Sequence, residues 1–203
     1  MITIVDYGVG NLFSLKSSFG SLGEPVRVTG DPEAIFKAEK VVLPGVGAFG
    51  DAADKLRAGG LDQAVLEAAR RGAPLLGICL GMQLLFDESF EYGRHAGLGL
   101  IPGPVRPIAE VIPAGLKIPH IGWNALHFTE HESPLFREVQ PGECVYFVHS
   151  YSAHNDTGAV TATAEYGVEL TAAVQRDNVF GCQFHPEKSG PVGLRILKAF
   201  CAL

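Results

Sequence analysis

A histidine and a glutamate stand two positions apart near the end of the chain, in the segment NVFGCQFHPEKSG at residues 178–190. The apolar run predicts a buried strand that ends on His185, and Pro186 stiffens the link to Glu187. A carboxylate beside an imidazole can fix its tautomer and support its positive charge, so His185 is a candidate general base and Glu187 its orienting acid. Prolines and polar residues also end ordinary strands, so catalysis requires a nucleophile elsewhere.

A cysteine between two glycines provides that nucleophile. In LLGICLGMQLLF, Gly77 and Gly81 stand two positions on either side of Cys79, between an apolar strand and a helical run. Glycines at these positions permit the sharp strand-to-helix turn of a nucleophile elbow, and the following helix N-terminus favours a thiolate. A core cysteine in a glycine-rich turn is the structural alternative. We expect the other three cysteines to be buried in the core as small apolar side chains: Cys144, Cys182 and Cys201.

An oxyanion hole requires two backbone N–H groups that point at the developing negative charge. Leu80, the residue after the nucleophile, is expected to supply one of them. The segment LPGVGAFGDA is expected to supply the other from Val46, because glycines on both sides let that peptide turn. An ordinary turn is the alternative interpretation of this segment.

The elements that must position these residues follow from the apolar pattern. The first half alternates strands (ITIV, KVVLP, PLLGIC) with helical periodicity at Leu12, Leu15, Phe19 and Leu22, and again over 61–69. This alternation predicts a three-layer α/β fold with a central, mostly parallel sheet and helices on both faces. After IPGPVRP, interpreted as a turn, closely spaced strands indicate additional mixed or antiparallel pairing. Ser189 is the expected N-cap of a last helix over about 191–200.

Composition and charge exclude several function classes. The chain has 203 residues, is 47% hydrophobic and carries a formal charge of −6, which is consistent with one domain over 1–203. The acidic balance argues against nucleic acid or anionic lipid, and Arg70 and Arg71 are interpreted as cations that close a helix. No apolar run reaches the about 20 residues of a membrane span, and no secretory signal is evident. We expect a cytoplasmic protein.

Four rival interpretations remain open at this point. HFTEH at 127–131 matches a zinc-peptidase pattern, but its residue types favour a strand over the helix that zinc binding needs. DYGVGNLF begins like a dinucleotide fingerprint, but Phe13 replaces the third glycine. A non-catalytic regulator and a different α/β cysteine hydrolase are the other two. His149, which lacks an adjacent acid, is interpreted as a packed strand histidine.

Six segments, taken in order, resemble the signature segments of class I glutamine amidotransferases: DYGVGNLFSL, PGVGAFGDA, GICLGMQLLF, PHIGWN, YFVHSYS and FHPEKSG. The resemblance covers essentially the whole chain. It implies that Cys79 attacks the carboxamide of L-glutamine, ammonia leaves, and water resolves a glutamyl thioester. This chemistry requires neither a metal nor an organic cofactor, and we expect none.

The resemblance also assigns roles to individual positions. It implies that five residues bind glutamine: Gly47, Gln83, Glu91, Ser150 and Tyr151. It further implies a heterodimer with a (β/α)₈ cyclase subunit that uses the ammonia in histidine biosynthesis, with Asn11, Trp123 and Tyr146 at the interface. The structural alternatives are that Trp123 and Tyr146 are core aromatics and that Gln83 is a solvated helix residue.

Overall fold

A computed structural model describes residues 1–154 and 158–203. The strands in these ranges are β1 (Ile2–Val5), β2 (Val26–Thr29), β3 (Lys40–Leu43), β4 (Leu75–Ile78), β5 (Phe86–Ser89), β6 (His95–Ala96), β7 (Ile101–Pro107), β8 (His120–Ala125), β9 (His127–Phe128), β10 (Cys144–His149), β11 (Tyr151–Ala153), β12 (Val160–Glu165), β13 (Glu169–Arg176) and β14 (Val179–Cys182). The α-helices are α1 (Leu12–Ser21), α2 (Pro32–Phe36), α3 (Phe49–Ala58), α4 (Leu61–Arg70), α5 (Leu80–Leu84) and α6 (Gly190–Cys201).

The largest sheet has eight strands in the order β2-β1-β3-β4-β14-β13-β12-β9. Its first five strands are mutually parallel, and β13, β12 and β9 continue it with antiparallel pairing. The parallel first half and the antiparallel additions from the second half are therefore confirmed. β4 and β14 are neighbours although about a hundred residues separate them in sequence, so their carboxyl ends meet at one edge.

Helices cover both faces of this sheet, which confirms the three layers. Successive side chains of β4 lie on opposite faces of the sheet. Leu75 packs in the core beneath α2, α3, α4 and α5, whereas Leu76 packs in the core beneath α1 and α6. Such strands are apolar at successive positions because neither face meets water. The helical periodicity of the sequence also predicted α1 and α4, and both helices are present. Helix α4 ends on Arg70, as expected.

The proline-rich segment IPGPVRP was wrongly predicted to be a turn. It forms strand β7, which pairs in parallel with β5 and antiparallel with β11 in a second sheet of order β11-β7-β5-β6. Proline disfavours a sheet mainly because it lacks an N–H, but its carbonyl still accepts and its φ suits extended backbone. Here the carbonyls of Pro104 and Val105 accept bonds from His154 and Phe90.

Three smaller expectations also need correction. β14 ends at Cys182, three residues before His185. Cys144 is exposed, whereas Cys182 is buried and Cys201 is half-buried. Ser189 does precede α6, but its hydroxyl makes no capping bond there; it donates to the carbonyl of His185 at 2.6 Å and accepts from the Tyr146 N–H at 3.0 Å.

HFTEH is extended, as its residue types predicted. His127–Phe128 forms β9, paired with β12, and the segment then bends. Residues 1–154 and 158–203 contain no group of three or more His, Cys, Asp and Glu side chains arranged to hold a metal ion. None of the helices in those ranges is long and apolar enough to cross a bilayer.

The close packing of α5 on the end of β3 yields a stability prediction. A Cβ added to Gly81 would lie 1.9 Å from the carbonyl oxygen of Leu43, so Gly81→Ala should force α5 away from the sheet and lower the free energy of unfolding by about 3 kcal/mol. The matched control is Gly20→Ala in α1, where an added Cβ meets nothing within 4 Å. Helix propensity predicts a gain of up to about 1 kcal/mol there. Urea denaturation measures both, and equal stabilities would contradict the packing argument.

Candidate active site

Cys79 occupies a strained turn between β4 and α5. Its φ of 55° and ψ of −113° lie outside the usual range for a residue with a side chain. The turn is held from both sides: a Cβ on Gly77 would lie 2.7 Å from the Gly81 carbonyl oxygen, and the Cys79 N–H donates to the Cys182 carbonyl at 2.7 Å. The predicted elbow geometry is therefore present, and the bond to Cys182 ties it to β14.

His185 and Glu187 form a buried pair just after β14. The imidazole Nδ1 lies 2.8 Å from Glu187 Oε1, and the two side chains are only 3% and 1% exposed. Residues Pro186–Lys188 form one turn of 3₁₀-helix, which brings the carboxylate back to the ring nitrogen Nδ1. The His185 N–H also donates to the Tyr146 carbonyl at 3.0 Å, so backbone and side chain are both fixed.

The electrostatic setting of His185 favours its charged form. Burial by itself lowers the pKa of His185, but the neighbouring Cys79 and Glu187 more than offset this and raise it to about 9. Nε2 has no hydrogen-bond partner in the described part of the chain, so it is available to the thiol of Cys79. The geometry thus permits transfer of the thiol proton to Nε2 while Glu187 holds Nδ1.

A cleft of about 280 Å³ opens over the Cys79 and His185 side chains. All seven residues predicted for the oxyanion hole and for glutamine binding line it: Val46, Gly47, Leu80, Gln83, Glu91, Ser150 and Tyr151. The three predicted interface residues do not line it. The structure therefore brings together positions spread from residue 46 to residue 185.

The loop before α3 is packed directly against the elbow. A Cβ on Gly45 would lie 2.8 Å from the Gly81 nitrogen and 2.9 Å from the Tyr7 hydroxyl, so only glycine fits there. Gly47 has a φ of +97°, which again favours glycine. Tyr7 donates to the Pro44 carbonyl at 2.6 Å, and its pKa is raised by burial and by Cys79.

Gln83 is buried rather than solvated. It is 5% exposed, and its Nε2 donates to the Tyr151 carbonyl at 3.1 Å and to Gln183 Oε1 at 2.9 Å. Gln183 was not identified from the sequence, although its Nε2 lies 3.8 Å from the Cys79 sulfur. The only signal was its place two residues before His185, which a single sequence cannot distinguish from any buried strand end.

Glu91 is fixed against the start of α3. Its Oε2 accepts from the Phe49 N–H at 2.6 Å, and burial is the main cause that raises its pKa. A carboxylate at the N-terminus of a helix is stabilised by the helix dipole. Glu91 thus places a carboxyl group in a fixed position at the wall of the cleft.

His149 belongs to a directional chain of hydrogen bonds, which confirms it as a packed strand histidine. Its Nδ1 lies 2.8 Å from the Tyr151 carbonyl, which can only accept, so Nδ1 carries the proton and Nε2 is free to accept. His120 Nδ1 lies 3.1 Å from that Nε2, and Asn124 Nδ2 lies 3.4 Å from His120 Nε2. The bonds therefore run from Asn124 through two neutral rings to Tyr151.

Of the predicted interface residues, Trp123 is exposed, whereas Asn11 and Tyr146 are half-buried. Trp123 is 58% exposed, which excludes the core alternative, and its ring centroid is 6.2 Å from that of Tyr146. The Lys188 ammonium stands 5.9 Å from the Tyr146 ring centroid. Asn11 is the N-cap of α1 and accepts from the Ser14 N–H at 3.3 Å.

Comparison with known proteins agrees with this fold. A family model described as glutamine amidotransferase class-I matches residues 3–202. The chain belongs to that family. A search of solved structures finds PurLQS from Thermotoga maritima, with a TM-score of 0.77, 22% identity, and coverage of 99% of this chain and 97% of the other; at this identity the likeness shows the fold alone.

Curated relatives give a narrower grouping. Imidazole glycerol phosphate synthase subunit HisH of Syntrophotalea carbinolica is 52% identical over 204 residues, covering 98% of each chain. The subunit of the same description from Moorella thermoacetica is 52% identical over 200 residues, covering 98% of this chain and 93% of the other. Within the class, the chain therefore belongs with the HisH subunits of imidazole glycerol phosphate synthase.

The buried His149 predicts a loss of stability in acid. Burial is the main cause that lowers its pKa from 6.5 to about 4, so between these pH values the unfolded chain binds a proton that the folded chain does not. The free energy of unfolding should fall as the pH falls through this window, by about 2 kcal/mol from His149 between pH 6.5 and 5.

Urea denaturation at pH 7.5 and 5.0 measures this effect. His149→Gln keeps a donor and an acceptor but cannot titrate, so it should reduce the difference between the two pH values. His127→Gln is the matched control, because that ring is half exposed in the folded protein. An unchanged pH dependence in His149→Gln would contradict the prediction.

Proposed function

We propose that this chain is the glutaminase subunit of imidazole glycerol phosphate synthase, which hydrolyses L-glutamine to L-glutamate and ammonia for histidine biosynthesis. The observation that carries the proposal is the buried His185–Glu187 pair beside the strained Cys79, under a cleft lined by all the residues expected to bind glutamine. The sequence identity of 52% to HisH subunits over nearly the whole chain supports the particular synthase.

The proposed reaction has two halves with one general base. His185 takes the proton of the Cys79 thiol, and the sulfur attacks the carboxamide carbon to form a tetrahedral oxyanion. His185 then gives that proton to the departing nitrogen, so ammonia leaves and a glutamyl thioester remains. A water molecule, deprotonated by His185, attacks the thioester; glutamate leaves, and the thiolate regains its proton from the imidazolium.

The oxyanion is assigned to the backbone N–H groups of Leu80 and Val46. Leu80 begins α5, so its N–H has no partner within the helix. The contact of Gly45 with the Gly81 nitrogen supports the second assignment, because it keeps the Val46 loop against the elbow. Donors fixed in a water-poor site stabilise a developing charge without reorganising.

The partner is proposed to be the (β/α)₈ cyclase subunit, in a cytoplasmic heterodimer. The whole chain, 1–203, acts as one domain whose ammonia passes to the cyclase, which forms imidazole glycerol phosphate and aminoimidazole carboxamide ribonucleotide. Asn11, Trp123 and Tyr146 are assigned to the interface. The exposed indole of Trp123 supports this, because aromatic residues are enriched at interfaces.

The assigned roles predict an order of activity losses. His185→Asn should lower glutamine turnover by about 10²–10⁴-fold, because a positioned base is lost, and Glu187→Gln should cost less, because it only orients that base. Cys79→Ala should abolish turnover and labelling by a diazo-ketone analogue of glutamine. Turnover is measured as glutamate release. A larger loss in Glu187→Gln, or labelling of Cys144 in place of Cys79, would contradict the assignment.

Coupling to the partner predicts activation. An uncoupled glutaminase wastes glutamine, so the isolated chain should hydrolyse it slowly and the liganded cyclase should accelerate it. Turning of the Val46 peptide between two orientations would give or remove one oxyanion donor, worth about 10²–10³-fold. Glutamate release is compared for the chain alone, with cyclase, and with cyclase plus its nucleotide ligand. Full activity in the isolated chain would exclude this coupling.

A further inference from the structure

Gln183 bridges the nucleophile and the wall of the cleft. It follows β14 directly, its side chain is fully buried, and its own N–H donates to the Ala172 carbonyl at 2.8 Å. Its Oε1 accepts from Gln83 Nε2 at 2.9 Å, and its Nε2 lies 3.8 Å from the Cys79 sulfur. One side chain therefore contacts two residues that come from another part of the chain.

The hydrogen bonds fix which end of the Gln183 amide faces which partner. Gln83 Nε2 carries two hydrogens, and both have acceptors, the Tyr151 carbonyl and Gln183 Oε1. If the Gln183 amide were reversed, two NH₂ groups would meet, and a buried donor would lose its partner at considerable cost. The Gln183 N–H must therefore point toward the Cys79 sulfur.

We propose that Gln183 is a positioning residue of the glutaminase site, which holds the Cys79 sulfur through its N–H and the Gln83 side chain through its carbonyl. The assignment rests on the proposed function. A hydrogen bond to a charged acceptor is stronger than one to a neutral acceptor, and a buried setting strengthens it further. An N–H aimed at the sulfur thus favours the thiolate over the thiol.

Gln183 performs a task that the neighbouring His185 cannot. His185, from the segment after β14, and Tyr7, from the loop after β1, both interact with Cys79, but the Tyr7 hydroxyl donates to the Pro44 carbonyl. His185 must exchange protons with the sulfur during the reaction. A neutral amide can orient the sulfur throughout the cycle because it has no proton to gain or lose in this pH range.

The test measures the ionisation of the sulfur without using glutamine. The full chain is treated with iodoacetamide over a range of pH, and mass spectrometry follows alkylation of each cysteine separately. Gln183→Met keeps the length of the side chain but removes both polar contacts. Gln175→Met on β13 is the matched control, because the Gln175 Nε2 donates to the Asp177 carbonyl at 3.3 Å and the side chain does not line the cleft over Cys79. The exposed Cys144 is an internal reference in every sample.

Gln183→Met should raise the midpoint of the Cys79 profile by on the order of one pH unit, as expected for one hydrogen bond to a charged group. The Cys144 profile and the Gln175→Met protein should show no shift. A folded Gln183→Met protein with an unchanged Cys79 midpoint would overturn the proposal.

If Gln183→Met does not fold, Gln83→Met decides, because it releases the other end of the same amide. An upward shift of the Cys79 midpoint supports the proposal, and an unchanged midpoint overturns it. Iodoacetamide reactivity does not depend on the substrate, so failure of the proposed function is recognised separately. In that case neither wild type nor variant would release glutamate, whatever the alkylation profile shows.

Discussion

The backbone strain at Cys79 is the constraint on which the rest of the site depends. A non-glycine residue at a φ of 55° costs about 1–3 kcal/mol and persists only where its surroundings leave no alternative. Here the surroundings are Gly77 and Gly81, which allow α5 to lie against β3, and the bond from the Cys79 N–H to Cys182. Because β4 and β14 are parallel neighbours, that same bond sets the distance from Cys79 to the segment that carries His185.

The segment after β14 explains the spacing of the histidine and the glutamate. Alternate side chains of this segment, at positions 183, 185, 187 and 189, are polar and buried, and each has a polar partner. Gln183 bonds to Gln83, and His185 bonds to Glu187. The Ser189 hydroxyl bonds to the backbone of His185 and of Tyr146. Phe184, between Gln183 and His185, packs in the core against Phe147. Buried polar groups are costly unless paired, so the positions depend on one another. Pro186 stiffens the turn that lets Glu187 return to the ring.

The sequence predicted those parts of the fold in which one physical signal dominates. Buried parallel strands such as β3 and β4 are continuous apolar runs, and α1 and α4 repeat with helical period, so their assignment needed no tertiary information. β7 was missed because its three prolines are a local signal for a turn, whereas the carbonyls that hold it in the sheet are bonded by distant residues. Gln183 and the Ser189 hydroxyl were missed for the same reason, since their roles lie in contacts between segments that are far apart in sequence.

Cavity size alone would point to a different site. A groove of about 650 Å³ lies beside HFTEH, bordered by Phe128, His131 and Phe136, whereas the cleft over Cys79 is less than half as large. The proposed reaction is assigned to the smaller cleft because the His185–Glu187 pair beside it is buried and held in a fixed position, which strengthens the interaction of the pair and would align a proton transfer. In the groove, His131 is exposed to water. His127, the first histidine of the motif, bonds to Glu169 at 3.0 Å on the sheet, and a strand cannot present residues 127 and 131 as a helix would.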